Sequence, residues 1–424
     1  MSNDLKPDDA PQSSRFDRMK VEVVSGGTQS AAVPEQAERS TMIIGTLAWA
    51  ALFIVLGVIS PWMVVFVVGL AISIMLHELG HFWTARKSGM KATQFFLGFG
   101  PRIWSTHRNG VEYGVRAIPL GGFVKIIGMT NVDEVDPVDE PHTYRQGSYA
   151  RRMWVITAGS AMHMIIAFVL VVMVYATWGR EQEVGVVRLA SVSAESPAAA
   201  AGLEPGDIVR SIDGVPVSTG DAMRATLSAT PPGSAMTLQI ERDGQPLTMV
   251  ATLVQNESTT EVRGFLGVSP YSSDRVRQSV VDSLIEGPKD LVTGVGQAIT
   301  GVSKVLNPVN VWGHLVGTND DPSSRPGTIV GATRISDDIG QFDGWAGMLL
   351  LLAGLNVSVG VFNLFPLLPL DGGHAAIATY ERIRSRKGKP YHADVNKLMP
   401  VAAVCLSLLA FMFLTGLYLD TVKL

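Results

Sequence analysis

The run Val64-Val65-Phe66-Val67-Val68-Gly69-Leu70-Ala71-Ile72-Ser73-Ile74-Met75-Leu76 leads directly into His77-Glu78-Leu79-Gly80-His81. An apolar stretch that needs about 20 residues to cross a bilayer is already long here, because it begins at Met42. Ser60-Pro61 interrupts it, and proline disfavours helix in the residue before it. Two helices, 42–59 and 62–86, are expected; one long helix kinked at Pro61 is the alternative. Met153–Trp178, Ala346–Leu368 and Met399–Leu419 are each long enough to span as well. The fold class this implies is a membrane α-helical protein with about four core transmembrane helices plus one extra N-terminal helix.

Composition agrees. Of 424 residues, 47% are hydrophobic and 17% charged, below the roughly 25% usual for soluble domains. The net charge of −4, without a basic block, speaks against nucleic acid as a partner. A single cysteine, Cys405, rules out an intramolecular disulfide framework or a cysteine-based metal cluster. Residues 1–40 are polar and aperiodic and are expected to form a disordered cytoplasmic tail. The first apolar run starts too late for a secretory signal.

Basic residues set the expected orientation. Arg86, Lys87, Lys91, Arg102, Arg108, Lys125, Arg145, Arg151 and Arg152 follow the second helix, and Arg382, Arg384, Arg386, Lys387 and Lys389 precede the last. Both loops belong in the cytoplasm with the N-terminus, and the segment between the 153–178 and 346–368 spans belongs outside. Its first part, from Glu183 to Val254, has short strand patterns, Asp213-Gly214 and Asp243-Gly244 turns, and a short helix Ser196–Gly202 ending on glycine. Residues 276–306 read as an amphipathic segment or a linker, and 307–334 as loop. The chain thus divides into the tail (1–40), the extra span (41–60), a first half of the membrane core (61–180), an inserted α+β domain (181–260), an outer linker with an amphipathic segment (261–345), and a second half of the core (346–424).

Histidines four apart share one face of a helix, so His77 and His81 can reach one metal ion. Glu78 can serve a water activated there as general base. Ionisable groups at the end of an apolar span are costly and usually functional. His107, His142, His314 and His392 lie in other segments, whereas the third core span runs into Asn363-Leu364-Phe365-Pro366-Leu367-Leu368-Pro369-Leu370-Asp371-Gly372-Gly373. Asp371, an acid at membrane depth, is assigned as the third ligand; the alternative makes it a helix N-cap.

These motifs together resemble the site-2 protease family of intramembrane zinc metalloproteases, from about residue 62 to the end. Ser196-Pro-Ala-Ala…Gly206-Asp-Ile-Val…Ile212-Asp-Gly resembles a bacterial PDZ domain, and the order of parts looks like the single-PDZ actinobacterial members. Phe96–Pro101 and Glu112–Lys125 strengthen the likeness; in the family the latter is a membrane-re-entrant β-hairpin that presents an edge strand to the substrate. The resemblance implies Zn2+ held by His77, His81 and Asp371, Glu78 as catalytic base, and Asn363, Gly121, Gly122 and Phe123 at the substrate. It implies single-span membrane proteins of the anti-sigma factor type, or remnant signal peptides, as substrates, and peptide ends as ligands of the PDZ-like domain. There is one departure. Where the family has Gly-Pro-x-x-Asn, this chain has Gly159-Ser160-Ala161-Met162-His163. His163 is open to three readings: a substrate-binding group, an added metal ligand, or a core histidine bonded to a neighbouring helix carbonyl. It also favours the other functional reading, a catalytically silent membrane scaffold that binds peptides. Absence of inverted repeats argues against a transporter.

Overall fold

The structure, a computed structural model, describes residues 35–129, 133–255, 263–386 and 391–422. Most of the expected tail lies outside them. Five helices are long and apolar enough to cross a membrane: Met42–Ile59, Pro61–Lys87, Tyr149–Thr177, Ile329–Asn363 and Lys397–Thr421. The protein is a multi-pass membrane protein, and it forms two compact units, Met1–Met173 with Leu284–Leu424, and Val174–Ser283.

In the membrane unit, α1 (Glu35–Ile59) and α2 (Pro61–Lys87) are separate helices. Ser60 is extended (φ −160°, ψ 134°) and its hydroxyl accepts from the Trp62 amide, while Pro61 takes the first helical position, where its missing N–H costs nothing. The kinked single helix is thereby replaced by a capped junction. The third span, α3, is Tyr149–Thr177.

Between α2 and α3 lie two long strands, β1 (Ala92–Arg108) and β2 (Val111–Ile126). Both bend, at Gly98 (φ +87°) and Gly121 (φ +127°), so each supplies two segments. Gln94–Leu97 pairs with Lys125–Gly122 on one side and with Glu112–Val115 on the other, and Glu112–Gly114 pairs in turn with His107–Ser105. Gly122–Ile126 is therefore an outer edge, with β1 as its only strand neighbour among the described residues. Arg116, buried within the hairpin, is accommodated by cation–π contacts to Phe96 (4.6 Å) and Phe123 (4.9 Å) and by donating to the Gly100 carbonyl at 2.9 Å.

The other unit is a sheet of antiparallel strands in the order β10-β3-β4-β6-β7: β3 (Arg180–Val192), β4 (Ile208–Ile212), β6 (Ala235–Arg242), β7 (Gln245–Thr252) and β10 (Val268–Val276), with β5 (Val215–Pro216) beside β4. Helices α4 (Pro197–Ala200) and α5 (Gly220–Ala229) accompany it over a core of Leu189, Met223, Met236, Leu238 and Ile240. Asp213-Gly214 and Asp243-Gly244 turn with all four residues at positive φ, as two-residue hairpin turns demand. The unit runs past the expected end at 260, because β10 pairs with β3 along most of its length. Short strands β8 (Val254–Gln255) and β9 (Gly264–Phe265) lie between.

The amphipathic stretch is one helix, α6 (Val280–Val305). Two further expectations are corrected. The segment expected as loop holds α7 (Pro308–Val316), which Asn307 caps by accepting from the Val309 amide and Gly317 (φ +79°) ends. The third core span, α8, begins at Ile329, breaks at Gly344 (φ 59°, ψ −140°) and stops at Asn363, before Pro366 and Pro369. Phe66 of α2 is packed against Met348 and Leu352 of α8. Then come α9 (Asp371–Arg384) and α10 (Val395–Thr421), the latter holding buried Cys405.

Asp207, 1% exposed on its side chain, bonds Arg242 at 2.7 and 2.8 Å. Burial raises its carboxyl pKa, but the Arg242 hydrogen bonds, the Glu204 amide and the Arg242 charge hold it below the ordinary carboxylate range. A carboxylate whose folded pKa lies below its unfolded value of about 3.9 adds stability above that pH and loses it as pH falls through the folded pKa. Amide exchange in this sheet should accelerate on acidification below about pH 4, and Asp207→Asn should flatten that limb. An identical acid limb in the variant would remove Asp207 from the account.

Candidate active site

The last turns of α2 carry His77, Glu78 and His81; the first residue of α9 is Asp371. Leu370, not Asp371, occupies the N-cap of α9, and its side chain makes no capping bond, so capping does not account for the acid. Ligand atoms of His77, His81 and Asp371 all lie within 4.8 Å of one another. The two Nε2 atoms are 3.2 Å apart, and Asp371 Oδ2 is 3.6 Å from His77 Nε2 and 3.3 Å from His81 Nε2. Zinc–nitrogen bonds of about 2.0–2.1 Å at tetrahedral angles put ligand atoms about 3.3–3.4 Å apart. The three separations fit that edge length. Asp371 Oδ2 is buried and takes no hydrogen bond within the chain, which leaves its lone pairs to a cation.

Neighbouring groups orient the ligands. His81 Nδ1 lies 2.8 Å from the Val155 carbonyl on α3. A carbonyl only accepts, so Nδ1 carries the proton and Nε2 presents its lone pair to the cluster. Close approach of α2 and α3 depends on two glycines. A Cβ at Gly80 would stand 2.8 Å from the Ala158 carbonyl, and one at Gly159 would stand 2.4 Å from both His77 Cε1 and His81 Nε2. The Gly159 of the departing motif thus does the work of room-making for the imidazoles.

Glu78 faces the hairpin. Its Cγ lies 3.2 Å from where a Cβ on Gly122 would be, and the Val124 amide is near enough to its carboxylate to favour the charged form. Gly121 bends β2 against the Phe99 ring. The Phe123 side chain is 6% exposed, stacked between Phe96 (5.5 Å) and Phe99 (6.1 Å), and its main chain belongs to the edge Gly122–Ile126. Asn363 closes α8, half-buried, and among the described residues its side chain makes no hydrogen bond to the cluster.

His163 is buried with its ring centre 4.8 Å from that of His77, but it is not in the set of converging ligand atoms. Its Nδ1 meets Asn356 Oδ1 at 2.7 Å, while Asn356 Nδ2 donates to Ser73 Oγ (3.0 Å) and to the Leu352 carbonyl (2.8 Å). With the amide so oriented, Oδ1 accepts, and His163 Nδ1 is the donor. His163 thus belongs to a polar chain across α2, α8 and α3, bonded to the Asn356 side chain rather than to a helix carbonyl. Sequence reasoning missed Asn356 and Ser73. The available signal was a polar side chain inside an apolar span.

Comparison with known proteins decides the family. The sequence pattern described as peptidase family M50 matches residues 65–410. The chain belongs to peptidase family M50, the site-2 protease family. It is similar to "Zinc metalloprotease Rip1" of Mycobacterium tuberculosis, 36% identical over 396 residues, covering 83% of this chain and 95% of the relative. It is likewise similar to "Zinc metalloprotease Rip1" of Mycolicibacterium smegmatis, 32% identical over 391 residues with the same coverage. The chain is a zinc metalloprotease, and Zn2+ is its metal.

Gly159→Ala tests the cluster through a residue that ligates nothing. Alanine in a helix interior is normally worth about 0.5–1 kcal/mol over glycine, so the fold itself should gain. The collision with both imidazoles should instead lower zinc affinity about tenfold or more, measured by metal content after competition with a chelator. Unchanged affinity would place the metal elsewhere.

Proposed function

We propose that this protein is a zinc-dependent intramembrane endopeptidase that cleaves the transmembrane segments of single-span, membrane-tethered regulators of the anti-sigma factor type, or remnant signal peptides. The observation that carries the reading is the convergence of His77, His81 and Asp371 among membrane-length helices, beside a free strand edge whose Val124 amide meets Glu78.

In this reading His77, His81 and Asp371 hold the metal. Zinc supplies Lewis acidity toward a peptide carbonyl and makes water acidic enough to ionise near neutral pH. Glu78 takes the proton of the attacking water and delivers it to the leaving amine. A helical substrate keeps its carbonyls in its own hydrogen bonds, so cleavage requires local unwinding. The re-entrant edge Gly122–Ile126 then holds the unwound stretch by strand addition, offering main-chain groups of Gly122 and Phe123 next to the bend at Gly121. Asn363 offers an amide donor and acceptor to the substrate backbone, and His163, with Nδ1 committed to Asn356, offers Nε2 as an acceptor.

The unit Val174–Ser283 acts as a PDZ-like domain outside the membrane, where strand addition at its sheet captures peptide ends. The N-terminus and both basic loops lie in the cytoplasm. The chemistry is thereby separated from the sorting of substrates by what they carry outside.

Glu78→Gln decides between enzyme and silent scaffold. In full-length protein reconstituted with zinc, the variant should keep its fold and metal content while cleavage of a single-span test substrate falls by roughly 10²–10⁴-fold. Undiminished cleavage would remove Glu78 as the base.

A further inference from the structure

A buried ion pair joins α3 to α9 away from the ligand cluster. Arg152 Nη2, in the first turn of α3, meets Glu381 Oε2 at 2.7 Å, with the side chains 12% and 7% exposed. Glu381 Oε1 accepts from the Ala393 amide at 2.7 Å, and the Arg152 guanidinium lies 4.9 Å from the Tyr144 ring centre. One turn before Arg152, the Tyr149 hydroxyl lies 3.2 Å from Thr379 Oγ1 of α9. Replacing a buried ion pair by apolar side chains of similar volume is often neutral or stabilising, so stability is a poor reason for this one.

Its place in the fold offers a better reason. Arg152 stands three residues before Val155, whose carbonyl orients His81. Residues three apart share one side of a helix, so the same side of α3 meets both helices that carry metal ligands. Ala378 of α9 lies in one buried cluster with Val155 and Ile156 of α3 and Phe82 and Ala85 of α2. The start of α9 is set by other means. A Cβ on Gly372 would collide with the Phe365 carbonyl, and one on Gly373 would stand 2.8 Å from that of Leu367, so the preceding turn lies tight against the helix. A turn fixes where a helix begins; a second anchor fixes where it points and how it is rotated. Glu381 supplies that anchor ten residues beyond Asp371, about 15 Å along the axis.

We propose that Arg152 is a positioning residue for the metal centre: through Glu381 it sets the direction and rotation of α9, and so brings Asp371 into register with His77 and His81. The inference rests on the ligand reading above and adds what aligns the third ligand with the other two. A ligand on a separate helix must be held to a fraction of an ångström, and α3 serves as the common reference, holding His81 through Val155 and α9 through Arg152.

Arg152→Met with Glu381→Gln removes both charges and keeps an acceptor for the Ala393 amide, so the full-length protein in detergent should melt near the native temperature. Its zinc affinity, measured by competition with a chelator, should fall about tenfold or more. The same exchange made on Asp371→Ala should change affinity little, because the ligand it aligns is gone. Arg152→Lys keeps the charge but loses the planar fork; it should give a smaller loss, again only with Asp371 present, and it carries the test should the uncharged pair not fold. Native affinity in these variants, or an equal loss with and without Asp371, overturns the proposal. Unchanged affinity in Asp371→Ala alone would overturn the ligand reading itself, and the proposal with it.

Discussion

Two imidazoles at the end of an apolar, membrane-length helix are held together with a carboxylate that begins the short helix α9. Burying such groups without compensation is expensive, and the surrounding arrangement follows from meeting that cost. His81 is turned by the Val155 carbonyl, the backbones of α2 and α3 approach through Gly80 and Gly159, and Asp371 is delivered by a helix that starts just after a proline-rich turn. A divalent cation at the centre gives all three lone-pair donors a partner at once. Without one, Asp371 Oδ2 is a buried acceptor with nothing donated to it.

The same economy explains the polar chain Ser73–Asn356–His163. Interhelical hydrogen bonds in membranes contribute only about 0.6 kcal/mol on average, so its value lies less in stability than in fixing how α2, α3 and α8 meet. The hairpin solves a different problem. An open strand edge in hydrocarbon would be prohibitive, and Gly122–Ile126 is instead laid against α2, where the Val124 amide finds Glu78. Gly122–Ile126 is thus a strand edge standing beside Glu78, and α1 covers the apolar space next to it.

Much of this was legible from residues alone. The spacing of His77 and His81 is a helical fact, and Asp371 stands out as an acid directly after the apolar run that ends at Leu370. Ser60-Pro61 announced the break between α1 and α2, and the two Asp-Gly pairs announced the turns of the α+β unit. Other features depend on partners distant in the chain. That β10 completes the sheet is decided by its pairing with β3, between 76 residues earlier at Val268↔Val192 and 96 residues earlier at Val276↔Arg180, and no local pattern marks it. The stack of Phe123 with Phe96 and Phe99 likewise depends on β1, since alternation in a strand says which side a residue takes but not what waits there. Asn307-Pro308 carries the capping signal of α7 inside a segment otherwise rich in glycine and proline.

The central claim is that one zinc ion is held by His77, His81 and Asp371 together. X-ray absorption at the zinc edge of the full-length, reconstituted protein measures that ligand set directly. The account predicts two imidazole nitrogens with the rest of the shell oxygen, at about 2.0–2.2 Å. A sulfur scatterer at about 2.3 Å, or a third imidazole drawn in from His163, would contradict it.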